Sequence, residues 1–395
     1  MQPIRVVHAV ALAAFTIGAL AATDASAIPA FARKYKMSCT TCHAPAPRLK
    51  AFGEEFAARG FRLEEGQEPA RAAYDTGDPL LLLNRDFPLA VRLEGYASWK
   101  EDADAETDFE VPWVWKVLSG GPVGKTVSYY FYFLMERGEV VGLEDAYLQF
   151  NDLGGSGVNL VFGQFQVCDP LFKRELRLER FDYLVFKTRV GDSPIDLTYD
   201  RGVMLVRSLP GGIDATAMLL NGSGIGAAED AGVSDFQDHD NDALKNVALR
   251  LARFAGPVRI GGIGYWGRSR DTADTENTTW IAGPDVVVGL GANAELNAEF
   301  LYREDDDPFF TGGDATHRTR GGFAELHLFP QGQNGRWVLS ALYNRIDSDD
   351  DTADRETASL TCSWLQARNV RWMVEAGQDL EAERMRVTAG VVTAF

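Results

Sequence analysis

The sequence predicts a mainly β protein: an antiparallel outer-membrane β-barrel of about 16 strands behind a small, helical N-terminal module. Three observations carry this. From residue 87 onward, segments of about ten residues alternate apolar and polar side chains, the period of a strand with one wet and one apolar face. The connections between them are short and long in turn. The last segment ends on an aromatic residue, Phe395.

The chain begins with the marks of a secretory signal. Arg5 supplies a positive charge, Val6 to Ala22 is apolar, and Ala25-Ser26-Ala27 is a small-residue cleavage site. Residues 1–27 are therefore expected to be removed, with export to the bacterial outer membrane. Arg5 and Asp24 cancel, so the net charge stays at −18. No later run approaches the ~18 apolar residues of a spanning helix. A mean hydropathy of −0.16 suits a barrel or a soluble protein equally. The acidity (pI about 4.8) argues against nucleic acid as a partner.

Residues 28–74 read as a small helical module. Leu49, Phe52 and Phe56 recur at helical spacing, and Gly60 is a plausible C-cap. Fewer than 50 residues bury little core alone. Residues 75–86 read as a linker to the barrel, residues 87–395.

In the barrel, the first strand is expected at Leu89 to Lys100. Leu89, Val91, Leu93, Ala97 and Trp99 share one face, and Arg92, Glu94, Tyr96, Ser98 and Lys100 the other. Short turns are expected at 119–122, 152–155, 209–212, 255–257, 291–293, 330–333 and 367–369. Longer connections are expected at 101–108, 136–142, 167–193, 222–242, 268–276, 304–316, 347–355 and 378–383. The closing strand is expected at Arg384 to Phe395. A soluble β-sandwich or propeller is the alternative, but neither accounts for the alternating loop lengths or the terminal Phe. The barrel implies membrane lipid, lipopolysaccharide and the barrel-assembly machinery as partners.

Cys39-Thr40-Thr41-Cys42-His43 carries the chemistry. Two cysteines so spaced and followed by histidine are a c-type haem attachment pattern: the thiols form thioethers and the histidine is the proximal iron ligand. Zinc needs about four ligands, and no second Cys/His pair completes a set. A thioredoxin-like pair needs a βαβ context, which is absent. One covalent haem c is expected, bound through Cys39, Cys42 and His43. Met37 and His327 are speculative sixth ligands. His327 alternates with Glu325 on the face opposite Ala324, Leu326 and Leu328, so it is expected to face the lumen, where a polar wall role is the plainer reading. His239 and His317 fall in expected loops. Cys168 and Cys362 are isolated, and a disulfide between them is unsupported.

Acidic clusters at Asp238 to Asp242, Glu304 to Asp307 and Asp347 to Asp351 would either gather hard cations or simply be solvated. The 167–193 connection is the longest and the most basic, with Lys173, Arg174, Arg177, Arg180, Lys187 and Arg189 among aromatic and aliphatic residues. It is expected to fold into the pore. Its cations would meet haem propionates or balance inner-wall glutamates.

Ile28-Pro-Ala-Phe-Ala-Arg33, Met37-Ser-Cys39-Thr-Thr-Cys42-His43, Pro47-Arg-Leu49-Lys-Ala-Phe52-Gly53 and Phe56 to Phe61 together resemble the N-terminus of the fused monohaem cytochrome–porins. That family includes outer-membrane iron oxidases of iron-oxidising bacteria. The stretch from Gly163 through Arg177 also resembles these proteins. The resemblance is specific over about residues 28–60 and architectural beyond them. It implies a haem plug in or beneath a porin-like barrel, taking electrons from an extracellular donor and passing them to a periplasmic carrier such as a soluble cytochrome. An Fe(II) oxidase is one form of this function, but no residue marks a ferrous substrate. The alternative function is a diffusion or uptake porin whose haem module acts as gate or redox sensor. A barrel that binds no haem is the third reading.

Overall fold

In a computed structural model of the protein, residues 30–63, 74–78, 80–81, 83–85, 87–226, 240, 243–313 and 315–395 are described. The expected signal segment and His239 lie outside them. Three short helices precede the barrel: α1 (Ala30–Tyr35), α2 (Cys39–Cys42) and α3 (Ala51–Ala58). The described residues then form β1 (Leu89–Lys100), β2 (Thr107–Pro122), β3 (Val127–Glu136), β4 (Glu139–Phe150), β5 (Asn159–Gln166), β6 (Tyr199–Leu209), β7 (Ile213–Leu220) and β8 (Asn246–Ala255). The second half comprises β9 (Val258–Arg270), β10 (Glu276–Leu290), β11 (Ala294–Asp305), β12 (His317–Leu328), β13 (Trp337–Ser348), β14 (Arg355–Ala367), β15 (Val370–Asp379) and β16 (Arg384–Ala394).

These 16 strands pair antiparallel with their sequence neighbours, and β1 pairs with β16 to close the barrel. Closure leaves no open sheet edge, which a hydrocarbon surrounding requires. Val91 and Phe395 exchange backbone hydrogen bonds at the seam. Alternation sorts the wall as the sequence predicts. Along β1, Ala90, Glu94, Tyr96 and Ser98 are buried inward while Leu89 is exposed. Phe162, Leu205, Leu249, Phe300, Leu339 and Leu360 are exposed on the outer face, an apolar belt suited to lipid. In β2, three residues (Val111 to Trp113) form a bulge between the Glu94 and Tyr96 pairings. Pro112 has no N–H for a ladder, and Trp113 is turned onto the Arg180 guanidinium, 4.0 Å away.

Several expected connections differ in place or length. The turn placed at 119–122 lies at 123–126, because β2 runs on through Pro122. The long connection placed at 136–142 is a two-residue hairpin. Arg137 (φ 54°) and Gly138 (φ 82°) both have positive φ, as a tight turn matching strand twist demands. Conversely, β12 and β13 are joined by eight residues, 329–336, at the short-turn end. Connection length therefore alternates only on average.

The helices lie across the short-turn mouth. Tyr35, Phe56 and Phe61 form a small core with Phe31, Met37 and Leu63. Leu49 is outside α3, bridged to His43, and Phe52 is 42% exposed. The expected apolar stripe thus reduces to Phe56. Gly60 follows α3 at φ 67°, the left-handed position glycine favours at a helix end. A Cβ added there would stand 2.5 Å from Ser128 Oγ and 2.8 Å from Asn151 Oδ1 of the barrel. The module is tied down by the Arg48–Glu295 ion pair and by Ala58 O, which accepts from Gln149 Nε2 at 2.7 Å and Asn159 Nδ2 at 3.2 Å. Phe61 packs on Tyr130, ring centroids 5.2 Å apart.

Candidate functional site

The pattern at residues 39–43 folds as one helical turn. Ser38 caps it, accepting from Thr40 N at 3.3 Å, and His43 N closes it on Cys39 O at 2.9 Å. Both thiols are free and half-buried, and burial pushes their pKa up. The chain then doubles back, with Ala44 N on Arg48 O at 3.0 Å and Lys50 N on Cys42 O at 2.8 Å. This return places Pro47 O 2.9 Å and Arg48 O 3.3 Å from His43 Nδ1. Those carbonyls fix the proton on Nδ1 and leave Nε2 with no hydrogen bond among the described residues. Burial lowers the His43 pKa, holding it neutral.

An imidazole neutral, oriented through Nδ1 and open at Nε2 is prepared as a metal ligand. Two thiols one turn before it fit the two attachment points of a covalent haem. The donor set present therefore fits the group the sequence implies. Of the speculative sixth ligands, Met37 packs against the Tyr35–Phe56–Phe61 core. His327 does face the lumen, with Nε2 2.9 Å from Glu325 and Nδ1 2.8 Å from Ser340 Oγ. Its ring lies 6.1 Å from that of Phe329, on which Arg48 rests at 5.5 Å.

The connection after β5 enters the lumen as expected and extends to residue 198. Its apolar side chains (Leu171, Phe172, Tyr183, Phe186, Ile195 and Leu197 among them) form a core with inward wall residues such as Phe323 and Leu342. Tyr183 stacks on Phe323 at 4.1 Å. A cavity of about 20 Å³ lies between this loop and the wall, beside Val185, Arg303 and Ile346; that is room for about one water. The loop's cations find partners that the sequence does not show. Arg174 and Arg177 pair with Asp182 of the same loop at 2.5 and 3.4 Å. Arg180 pairs with Glu110 of β2. Wall arginines in turn donate to loop carbonyls: Arg92 to Glu175 O, Arg259 to Leu171 O, Arg303 to Ile195 O and Arg371 to Leu178 O, at 2.7–2.9 Å.

The acidic connections are tied locally where described. Asp305 accepts from Arg303 and Thr279, Asp307 from Thr311 and Gly312, and Asp350 from Thr352 and Gly191. His317 opens β12, its Nδ1 2.8 Å from Ala315 O. Cys168 is buried in the lumen loop, whereas Cys362 alternates outward with Leu360 on β14. The wall separates them, and both are free.

Neither a protein-family model nor a curated protein sequence matches the chain. Solved structures of outer-membrane proteins share its fold. The anion-selective porin from Comamonas acidovorans superposes with a TM-score of 0.56 at 10% identity, over 78% of this chain and 99% of the porin. The channel DcaP of Acinetobacter baumannii gives 0.54 at 14% identity, over 78% of this chain and 97% of that one. A loop-deletion form of OmpT of Vibrio cholerae gives 0.54 at 13% identity, over 78% and 99%. The barrel has the porin fold.

Proposed function

We propose that the chain is an outer-membrane electron-transfer protein of the fused cytochrome–porin kind. One haem c would be held by Cys39 and Cys42 as thioethers and by His43 Nε2 as proximal ligand. When bound, this group supplies a one-electron carrier whose potential is tuned by ligation, burial and nearby charge. The chain's own residues do the rest. Pro47 and Arg48 carbonyls orient His43, and Arg48 anchors the segment to the wall through Glu295 and Phe329. The exposed Phe52 and the half-buried thiols offer apolar surface for the macrocycle to cover. The barrel would insulate the route between an extracellular donor, Fe(II) being one candidate, and a periplasmic carrier.

One observation carries the reading: a histidine pinned at Nδ1 and free at Nε2, one residue after two free thiols a helical turn apart. The inward loop packed on the inner wall supports it, because an electron needs no open channel. The test is a pyridine haemochrome measurement on detergent-purified protein, followed by optical reduction with Fe(II) and other impermeant donors. One haem per chain and donor-dependent reduction are expected. A chain without haem, or a haem that no external donor reduces and no external acceptor oxidises, refutes it.

The porin fold favours a second reading, an uptake channel with the N-terminal module as gate. It requires substantial conductance in planar bilayers that changes with the module's redox state. A silent barrel excludes it.

A further inference from the structure

Three buried ligand-type side chains in the lumen belong to neither the Cys39–His43 segment nor the apolar plug core. Glu179 from the inward loop meets Glu325 and His327 of β12, one donor atom from each lying within 4.8 Å of the others. All three side chains are at most 2% exposed. Neighbours orient them. Tyr183 Oη and Asn297 Nδ2 each donate to Glu325 at 2.7 Å. Leu178 N donates to Glu179 Oε2 at 3.0 Å.

One atom does not fit a hydrogen-bonded network. Glu179 Oε1 is buried without a well-formed hydrogen bond, although the Ser340 hydroxyl lies near the Glu179 carboxylate, and it points at His327 Nδ1 from 3.7 Å. That is beyond hydrogen-bond range. Two ligand atoms sharing a tetrahedral ion at 2.0–2.1 Å stand about 3.3 Å apart, so the observed gap is close to that of co-ligands. Charge points the same way. Two carboxylates share one imidazole in a buried setting, where unbalanced charge is costly, and the other cations within electrostatic reach are Arg48 near Glu325 and Arg371 near Glu179. A divalent ion on a neutral imidazole balances them. Whichever ring nitrogen ligates, the other keeps a partner, Ser340 or Glu325, as metal-bound histidines usually do.

We propose that Glu179, Glu325 and His327 form a lumen site for one divalent transition-metal ion, separate from any iron at His43. One imidazole and two carboxylates suit zinc, Mn(II) or Fe(II) rather than a thiolate-seeking metal. Glu179 comes from the loop and its co-ligands from the wall, so the ion staples the plug to the barrel. The site does not depend on the electron-transfer reading.

Because the three side chains are buried, loading is tested by refolding the full chain into detergent with Zn(II), then with Co(II), followed by gel filtration. Heat-modifiable electrophoretic migration reports folding, and haem iron is counted separately. About one equivalent of zinc per folded barrel is expected, with Co(II) giving visible ligand-field bands. The isosteric Glu179→Gln should lose most of the zinc and the bands while still folding, and His327→Gln should do the same. No stoichiometric zinc in the folded wild type overturns the proposal. Equal zinc in wild type and Glu179→Gln overturns it as well, assigning the metal to other acidic groups.

Discussion

Gly53→Ala separates the packing of the module from its helix propensity, because the two predict opposite signs. Gly53 lies inside α3 and is buried. Replacing an interior helical glycine with alanine ordinarily stabilises by about 0.5–1 kcal/mol. Here the added Cβ would stand 2.5 Å from Cys42 O and 2.9 Å from Leu49 Cδ2. Ordinary contact begins near 3.4 Å, so α3 must retreat by roughly 0.5–0.9 Å even where the neighbours yield. Cys42 O is also the acceptor for Lys50 N at 2.8 Å. A retreat of that size stretches this bond past the ~3.2 Å limit. Overpacking costs about 1–3 kcal/mol and the hydrogen bond about 0.5–1.5 kcal/mol. Set against the propensity gain, the net loss is about 0.5–4 kcal/mol, or roughly 2- to 700-fold in the opening equilibrium of the segment.

Amide hydrogen exchange on the full chain in detergent reads this directly. The His43, Lys50 and Glu54 amides should lose protection in Gly53→Ala while barrel amides remain unchanged. Haem content per folded barrel should fall in parallel. Unchanged or increased protection at those three amides would show that α3 does not rest on the Cys42 carbonyl and would refute the packing argument.

Other perturbations test the seals. Arg48→Ala strands Glu295 at the mouth. The loss should fall toward the lower end of roughly 3–5 kcal/mol, since both side chains keep some water contact, and should appear as faster proteolytic release of the N-terminal module. Arg180→Met keeps the contact with Trp113 and Tyr96 but leaves Glu110 with only Lys100 at 3.1 Å and Ser98 at 2.8 Å; a loss below the roughly 3–5 kcal/mol of a fully stranded buried charge is expected in the denaturant midpoint, largely recovered by adding Glu110→Met. Replacing residues 171–189 with a short Gly-Ser bridge should turn a silent barrel into a conducting one, as expected of an emptied 16-stranded barrel. Equal conductance in wild type would show that the loop does not close the pore.

Much of the wall was legible because strand alternation is a local signal. The first strand falls at Leu89–Lys100 as predicted, and the last begins at Arg384. The hairpin at Arg137-Gly138 was hidden because Glu136 to Glu139 is charged and looks like a loop, although the glycine is a tight-turn residue. The Cys-x-x-Cys-His spacing was legible at residues 39–43, but the return of the chain over it was not: nothing in Pro47 or Arg48 announces that their carbonyls hold His43. Lumen pairing was beyond reach for a different reason. Tyr183 meets Glu325 across 142 residues, and such partners follow from closure and register. Glu179 carried no signal at all, being one acid in a basic loop.

The way the loop is held bears on what the barrel passes. Irregular backbone at membrane depth survives only where protein satisfies its polar groups. Here Arg92, Arg259, Arg303 and Arg371 do so, each giving a charged donor to a loop carbonyl. Hydrogen bonds to charged groups are worth roughly 1.5–3 kcal/mol each, and the Phe323–Tyr183 core adds apolar burial. A gate must open at moderate cost, since a ligand shifts an equilibrium only by its differential affinity for the two states. Withdrawing this loop breaks all four arginine contacts and exposes its aromatic core together. Cooperative attachment of that kind suits a permanent seal, and a permanent seal favours a cargo that crosses without displacing the protein.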